Sequence, residues 1–141
     1  MRHRKRTVKL NKKSAHRRCM FANLLKSLVE HGRIETTLAK AKELRRHAER
    51  LITLAKANSL SSKRRVVAKL MVRFNHLSSK KMRKVKKGNY APYNTDRKII
   101  DLLFETLVHR YVDRDGGYTR IIRKETRRGD NSPLCIIEYV H

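Results

Sequence analysis

Between Glu49 and Asp96 the chain carries thirteen lysines and arginines and not one carboxylate. No compact arrangement can crowd so many like charges together without counter-charge, so these residues belong on outer surfaces and their repulsion calls for a polyanion. The start repeats the problem: "RHRKRTVKLNKKSAHRR", Arg2 to Arg18, holds nine lysines and arginines, two histidines and no acid. Over 141 residues, 37 basic against 12 acidic side chains leave a formal charge of +25. Nucleic acid is the polyanion that such a balance fits best. No apolar stretch approaches the roughly twenty residues of a membrane-spanning helix. The start also lacks the apolar core of a signal peptide, so a soluble, cytoplasmic chain is the expectation.

The remaining residues must supply one modest core. The length suits a single domain, and hydrophobic residues make up 39% against 35% charged. A chain of this size buries roughly two-thirds of its unfolded surface, but the basic segments must be subtracted from what can pack. Residues 1–13 have no usable period and read as a basic arm, with Val8 and Leu10 as its apolar anchors. From Ser14, a suitable N-cap, Met20, Phe21, Leu24, Leu25 and Leu28 recur at helical spacing, and His31-Gly32 supplies a stop. This predicts a helix over about 15–31. "RIETT", Arg33 to Thr37, reads as a short strand leading to an N-cap at Thr37.

In the stretch that follows, Ala41, Leu44, Ala48, Leu51, Ile52 and Ala55 fall within about a third of a helix circumference. Lys42, Arg46 and Arg50 form a column nearly opposite. Asn58 to Ser62 breaks this helix, and Val66, Val67, Leu70, Met71 and Phe74 predict another over about 62–75. The segment at about 74–95 loses clear amphipathicity, gathers six lysines and arginines and ends in Gly, Pro and Asn, which reads as an exposed basic excursion. Ile99, Ile100, Leu103, Phe104, Leu107 and Tyr111 predict a helix over about 96–111. Its Asp96, Asp101 and Glu105 gather on another side, which should face away from a polyanion. "DRDGG" reads as a turn, "YTRIIRKE" as a strand, "TRRGDNSP" as a hairpin connection and "LCIIEYV" as a last strand. The apolar run in that last strand suggests burial on both faces or a central place in its sheet. The order predicts an α+β fold: a basic arm, then helix, strand, three helices and two strands, the helices packed on a small mixed sheet in two layers. Residues 14–141 read as one domain, with no internal repeat.

Reaction chemistry is thin. The chain has no G-x-x-x-x-G-K-[ST], H-E-x-x-H or G-x-S-x-G pattern. Cys19 and Cys135 stand far apart and outside any zinc spacing, so both read as reduced core thiols, with no metal site and no cofactor expected. Gly116 and Gly117 read as a tight turn at the start of a strand. The histidines lie in basic surroundings that lower their pKa, which suits contacts better than general bases. Glu43 and Glu49 beside Arg45, Arg46 and Arg50 read as surface ion pairs. No enzyme is expected.

Binding chemistry is better supplied. His16, Arg17 and Arg18 lie in the first turn of the first helix, where cations face the positive end of the dipole. That placement makes sense if a phosphate occupies the helix end. Arg6 and Lys9 extend the arm's charge. The column Lys42, Arg46 and Arg50 offers a face for an anion, and Arg120, Arg123, Arg127 and Arg128 offer a further basic edge. The plainer reading of each group is solvated charge. Tyr90 and Tyr93, beside Pro92, are candidates to stack on unpaired bases.

The segment "IETTLAKAKELRRHAERLITLAK", Ile34 to Lys56, resembles the signature of the bacterial large-subunit ribosomal protein L17 family. Two other stretches agree. At the start, Arg2-His3-Arg4-Lys5, Leu10-Asn11, Ser14, His16-Arg17, Met20-Phe21 and Asn23 match. Near the end, "GGYTRI" and "RRGDNSP" followed by "IE" match. The resemblance implies a structural protein that binds 23S rRNA near the polypeptide exit, beside ribosomal proteins including L22 and L32. By matching position it implies rRNA contacts from Arg2, His3, Arg4, Lys5, Asn11, Lys12, Ser14, His16, Arg17, Thr36, Thr37, Lys40 and Lys42. Lys12 stands where relatives typically carry arginine, which replaces a planar fork by a point charge. Relatives usually join the third and fourth helices by a shorter connection, so the excursion reads as an insertion and as an added rRNA contact. A nucleoid-type DNA-binding protein is the alternative that charge alone leaves open.

Overall fold

The computed structural model describes His3 and residues 8–140. In chain order it contains α1 (Ser14–His31), β1 (Arg33–Thr37), α2 (Leu38–Lys56), α3 (Leu60–Leu70), α4 (Ser79–Lys86) and α5 (Thr95–Asp101). A π-helical segment (Leu102–Leu107), α6 (Val108–Arg110), β2 (Thr119–Thr126) and β3 (Pro133–Tyr139) follow. The α+β class is borne out.

The predicted face of α2 is the centre of the core: Ala41, Leu44, Ala48, Leu51, Ile52 and Ala55 are all at 0% exposure. Three alanines let the helix axis lie close to its neighbours, while each buried Leu or Ile contributes about 1.5–3 kcal/mol. One side of α2 meets β2 and β3; α1 and α3 flank it. Phe21, Leu25 and Leu28 of α1 and Val66 and Leu70 of α3 complete that layer.

The sheet has the order β1-β3-β2, and both pairings are antiparallel. This corrects the expected mixed sheet. β1 and β2 run in the same direction, but β3 lies between them, so the parallel contact that a mixed sheet needs does not form. The central place predicted for the last strand holds, whereas burial on both faces does not. Cys135, Ile137 and Tyr139 are buried and alternate with half-exposed neighbours. Ile34, Ile137 and Ile121 pair across the sheet in one row and all pack with the core. Arg33, Glu138 and Arg120 form an adjacent row, in which Glu138 pairs with Arg120 at 2.5 Å.

Helix ends depart from expectation at the start of α1 and the end of α3. α1 starts at Ser14, so Lys13 takes the cap position and no side chain caps it. Its stop is as expected: Gly32 adopts φ 73° and donates its N–H to the Leu28 carbonyl, a conformation that costs other residues. Thr37 takes the cap position of α2, again without a side-chain bond. α3 ends at Leu70, short of the predicted 75, because Met71 turns left-handed at φ 50°. Phe74, expected on that helix's apolar face, is therefore 48% exposed. Cys19, expected in the core, is exposed, while Cys135 is buried.

The excursion contains a helix that the sequence pattern did not predict. α4 buries none of its side chains, so no apolar stripe announces it. The returning chain is fastened at its base. The Asn94 side chain caps α5 through Arg97 N–H and donates to the Arg73 carbonyl at 2.6 Å. Asp96 accepts from Arg73 N–H at 2.7 Å and pairs with Lys26 of α1 at 2.7 Å. Asp96 is thus a structural tie rather than part of a free acidic face. Farther on, Ile99, Leu103, Leu107 and Tyr111 are all buried. Their steady four-residue step overshoots an α-turn by about 40° each time. The wider π-helical turns let all four face the core.

Two buried tyrosines from this packing test the polar bookkeeping. Tyr111 donates to the Val140 carbonyl at 2.5 Å. Tyr139, 2% exposed, has a hydroxyl without a partner among the described residues. Tyr111→Phe should therefore cost about 1 kcal/mol, while Tyr139→Phe should leave stability unchanged or raise it by up to about 1 kcal/mol. Urea unfolding of the two variants checks this; an equal loss in both would show that the Tyr139 hydroxyl is satisfied.

Candidate nucleic-acid interface

Arg2, Arg4, Lys5 and Arg6 lie outside the described residues; His3 is exposed. The described end of the arm is folded onto α1. Leu10 and Asn11 adopt left-handed φ of 54° and 50°, and Lys12 N–H donates to the Lys9 carbonyl at 3.1 Å. Leu10 packs against the core. The Arg17 guanidinium donates to the carbonyls of Lys12 at 3.2 Å and Lys9 at 3.5 Å. Arg17 is half-buried and fastens the arm, while Lys9, Asn11, Lys12, Ser14, His16 and Arg18 are exposed around it. No carboxylate lies in the first turn of α1 or of α2 to compete for their amides.

α2 positions the second group. Thr36 and Thr37 end β1 and, like Lys40 in the first turn of α2, are half-buried. Lys42, Arg46 and Arg50 are exposed, as the four-residue spacing requires. Arg46 pairs with Glu43 at 3.2 Å.

The structure brings parts of these two groups together. A cleft of about 460 Å³ opens between the arm, α1, α2 and α3, with Phe21, Ala22 and Leu25 as its apolar floor. Arg17, Arg18, Arg46 and Lys69 rim it, with Glu43 as its one carboxylate. Lys69 was not predicted. It sits in α3 between the buried positions Val66 and Leu70, and that proximity to the apolar face was the available signal. Its ammonium donates to the His47 carbonyl at 3.2 Å. Burial, then the Arg50 charge, pushes its pKa down to about 8. Burial and then Lys69 also lower His47 below its ordinary 6.5, leaving the imidazole neutral at pH 7. Phe21 stacks beside it at 5.1 Å. The cleft therefore carries more positive charge than its own groups neutralise.

The third group is not part of this cleft. Arg120 lies on the sheet, paired with Glu138. Arg127 is held in the hairpin connection by two hydrogen bonds to Asp130, at 2.9 and 2.6 Å. Asp130 is held well below the usual carboxylate range, first by Arg127 and then by Ser132. Arg128 is exposed with no ion pair among the described residues. Arg123 on β2 is likewise exposed with no ion pair among the described residues, so two of the four arginines of this edge have their charge answered within the fold.

Cations set around one cleft, at the start of α1, on the face of α2 and on α3, are the equipment of a polyanion-binding class. The profile of the family described as ribosomal protein L17 matches residues 20–140. Over 140 residues the chain is 56% identical to the large ribosomal subunit protein bL17 of Protochlamydia amoebophila, and 54% identical to that of Chlamydia abortus. Each match covers 99% of both chains. The chain belongs to the ribosomal protein L17 family, whose role is structural, in the large ribosomal subunit, and not enzymatic. Matches of that coverage leave no room for a twenty-residue gap, so the excursion has a counterpart in these relatives.

The lowered pKa of Lys69 has a measurable sign. Between about pH 8 and its ordinary 10.5 the folded chain binds fewer protons at this amine than the unfolded chain does. Stability attributable to Lys69 therefore rises with pH across that window. Lys69→Met should raise the urea midpoint at pH 7.5, and its advantage should shrink toward pH 10.5. An advantage that is the same at both ends would show a normally titrating amine.

Proposed function

We propose that this chain is a structural constituent of the large ribosomal subunit that binds 23S rRNA by neutralising phosphates. What carries this reading is the cleft rimmed by Arg17, Arg18, Arg46 and Lys69, with Glu43 the one carboxylate in its lining. Phosphates supply the missing charge, and their condensed counterions are released on binding. In this reading residues 14–141 form one domain that carries the excursion, and residues 1–13 are its arm.

The roles divide by what each side chain already touches. Arg17 positions the arm, so its own contact with phosphate is secondary. His3, Lys9, Asn11, Lys12, Ser14, His16, Arg18, Lys42 and Arg50 are exposed and turn outward, and Arg46 joins them while partnered to Glu43. Arg2, Arg4, Lys5 and Arg6 extend the same set by charge and by family resemblance. Thr36, Thr37 and Lys40 lie where α2 begins, with its uncapped amides. Arg128 is the member of the third group best placed to meet RNA. The excursion, with six cations and no acid from Phe74 to Thr95, is an added rRNA contact. A site near the polypeptide exit and neighbours such as L22 and L32 rest on the resemblance alone. Crosslinking within assembled subunits should recover both neighbours; their absence would move the site elsewhere.

Salt dependence separates outward cations from internal ones. Lys42→Ala and Arg50→Ala should each weaken binding to a 23S rRNA fragment and reduce the slope of log affinity against log salt by about 1. Arg127→Ala, whose guanidinium serves Asp130, should leave that slope unchanged. Unaltered slopes for the two α2 variants would remove this face from the interface.

A further inference from the structure

We propose that the base of the excursion is a stacking ledge for one unpaired base of RNA, a second site apart from the cleft; this rests on the RNA-binding reading above. Four side chains form a ladder there. The Arg97 guanidinium lies 4.8 Å from the Phe74 ring centroid and 5.2 Å from that of Tyr93. Tyr90 follows at 5.5 Å from Tyr93, its ring tilted by 50°. Both ends of the ladder are open to solvent, with Phe74 48% and Tyr90 56% exposed.

Hydrogen bonds hold the middle of the ladder in place before any ligand arrives. Arg97 donates to the Asn75 side chain and to the Asn75 carbonyl, both at 3.0 Å. Asn75 in turn donates to the Pro92 carbonyl at 2.9 Å, and Tyr93 N–H closes a turn onto the Tyr90 carbonyl at 3.0 Å. An aromatic surface fixed in this way loses little entropy on binding. Beyond its tilted contact with Tyr93 the Tyr90 ring is open to water, and a base has a face to cover it.

Charge decides the partner and its direction. Lys80, Lys81, Arg83, Lys84, Lys86 and Lys87 of α4 and its cap have no ion pair among the described residues. Gly88 and Asn89 return their N–H groups to the last turn of α4, at Val85 and Lys84, so the cationic helix, which ends at Lys86, is joined to Tyr90 by a tight turn. A groove of about 660 Å³ that Tyr90 and Tyr93 themselves line also carries Asp101 and Glu105, with Lys98. Those carboxylates repel phosphate, so the strand's backbone follows α4 and one base turns onto the ring. Six cations against two acids favour RNA over a basic peptide seated on Asp101 and Glu105.

The chain has no tryptophan, so Tyr90→Trp in the full chain installs a single indole at the ledge. A labelled oligouridylate and a labelled RNA duplex of equal phosphate count, titrated at one salt concentration, report binding by anisotropy and stacking by indole quenching. The expected result is strong quenching by the bound single strand and little by the bound duplex. Tyr90→Leu should weaken the oligouridylate by about 5- to 100-fold and leave the duplex unchanged. Equal quenching by both bound RNAs, quenching by neither, equal losses in Tyr90→Leu, or quenching by an oligolysine peptide alone would each overturn the ledge. Should neither RNA raise the anisotropy, the RNA-binding reading itself falls and takes the ledge with it.

Discussion

The scarcity of negative charge organises this molecule. With 12 acids against 37 cations, a carboxylate is a limited resource, and Glu35, Glu49, Asp96, Asp115 and Glu138 are used as ties between segments. Asp96 joins α1, the chain just past α3 and the start of α5 through Lys26 and Arg73 N–H. Burial works to raise its pKa, but the hydrogen bonds from Arg73 and Lys26 outweigh it and bring the carboxyl below its ordinary value. Glu49 reaches from α2 to the Thr119 hydroxyl of β2 at 3.2 Å. Glu35 and Glu138 hold cations across the sheet. Among the described residues, Lys42 and Arg50 of α2 and the cations of α4 are left with no ion pair.

The sequence was most legible where one residue pattern had one physical solution. The α2 stripe of Ala, Leu and Ile can only be a buried helix face, and the RIETT and LCIIEYV strands follow from alternation and β-branching. It was least legible where a distant segment decides a local conformation. Met71 ends α3 in a left-handed turn, and the residues that hold the chain beyond it, Asn94 and Asp96, lie more than twenty positions later. A four-residue spacing at Ile99, Leu103, Leu107 and Tyr111 looks like an ordinary helix face, because period alone does not distinguish an α-turn from a π-turn over so short a span. The sheet's direction depended on which strand lay between the other two, and no strand's own pattern carries that.

The candidate site divides along the same line. Exposure of Lys42, Arg46 and Arg50 follows from helical geometry, so their placement was readable. Whether a cation is already answered does not follow from sequence spacing. Arg127 lies three residues from Asp130 and is locked to it, Arg120 meets a partner eighteen residues away across the sheet, and Arg17 turns back to the arm's carbonyls. Lys69 shows the converse: a residue beside a buried face acquires a depressed pKa because the fold buries its ammonium and, secondarily, sets Arg50 near it.

Phosphate contacts fix register and orientation, but they carry no information about sequence and little about pairing. A protein equipped with cations alone would therefore hold any sufficiently charged RNA surface of the right curvature. An aromatic face at the base of the excursion would add a different kind of selection, because a base inside a duplex has both faces occupied and cannot stack on it. Its neighbours Asp101 and Glu105 narrow the choice further by refusing phosphate on one side. Cleft and ledge together would then recognise a place where paired RNA meets an unpaired nucleotide, a feature defined by shape and pairing state and requiring no base-specific hydrogen bond.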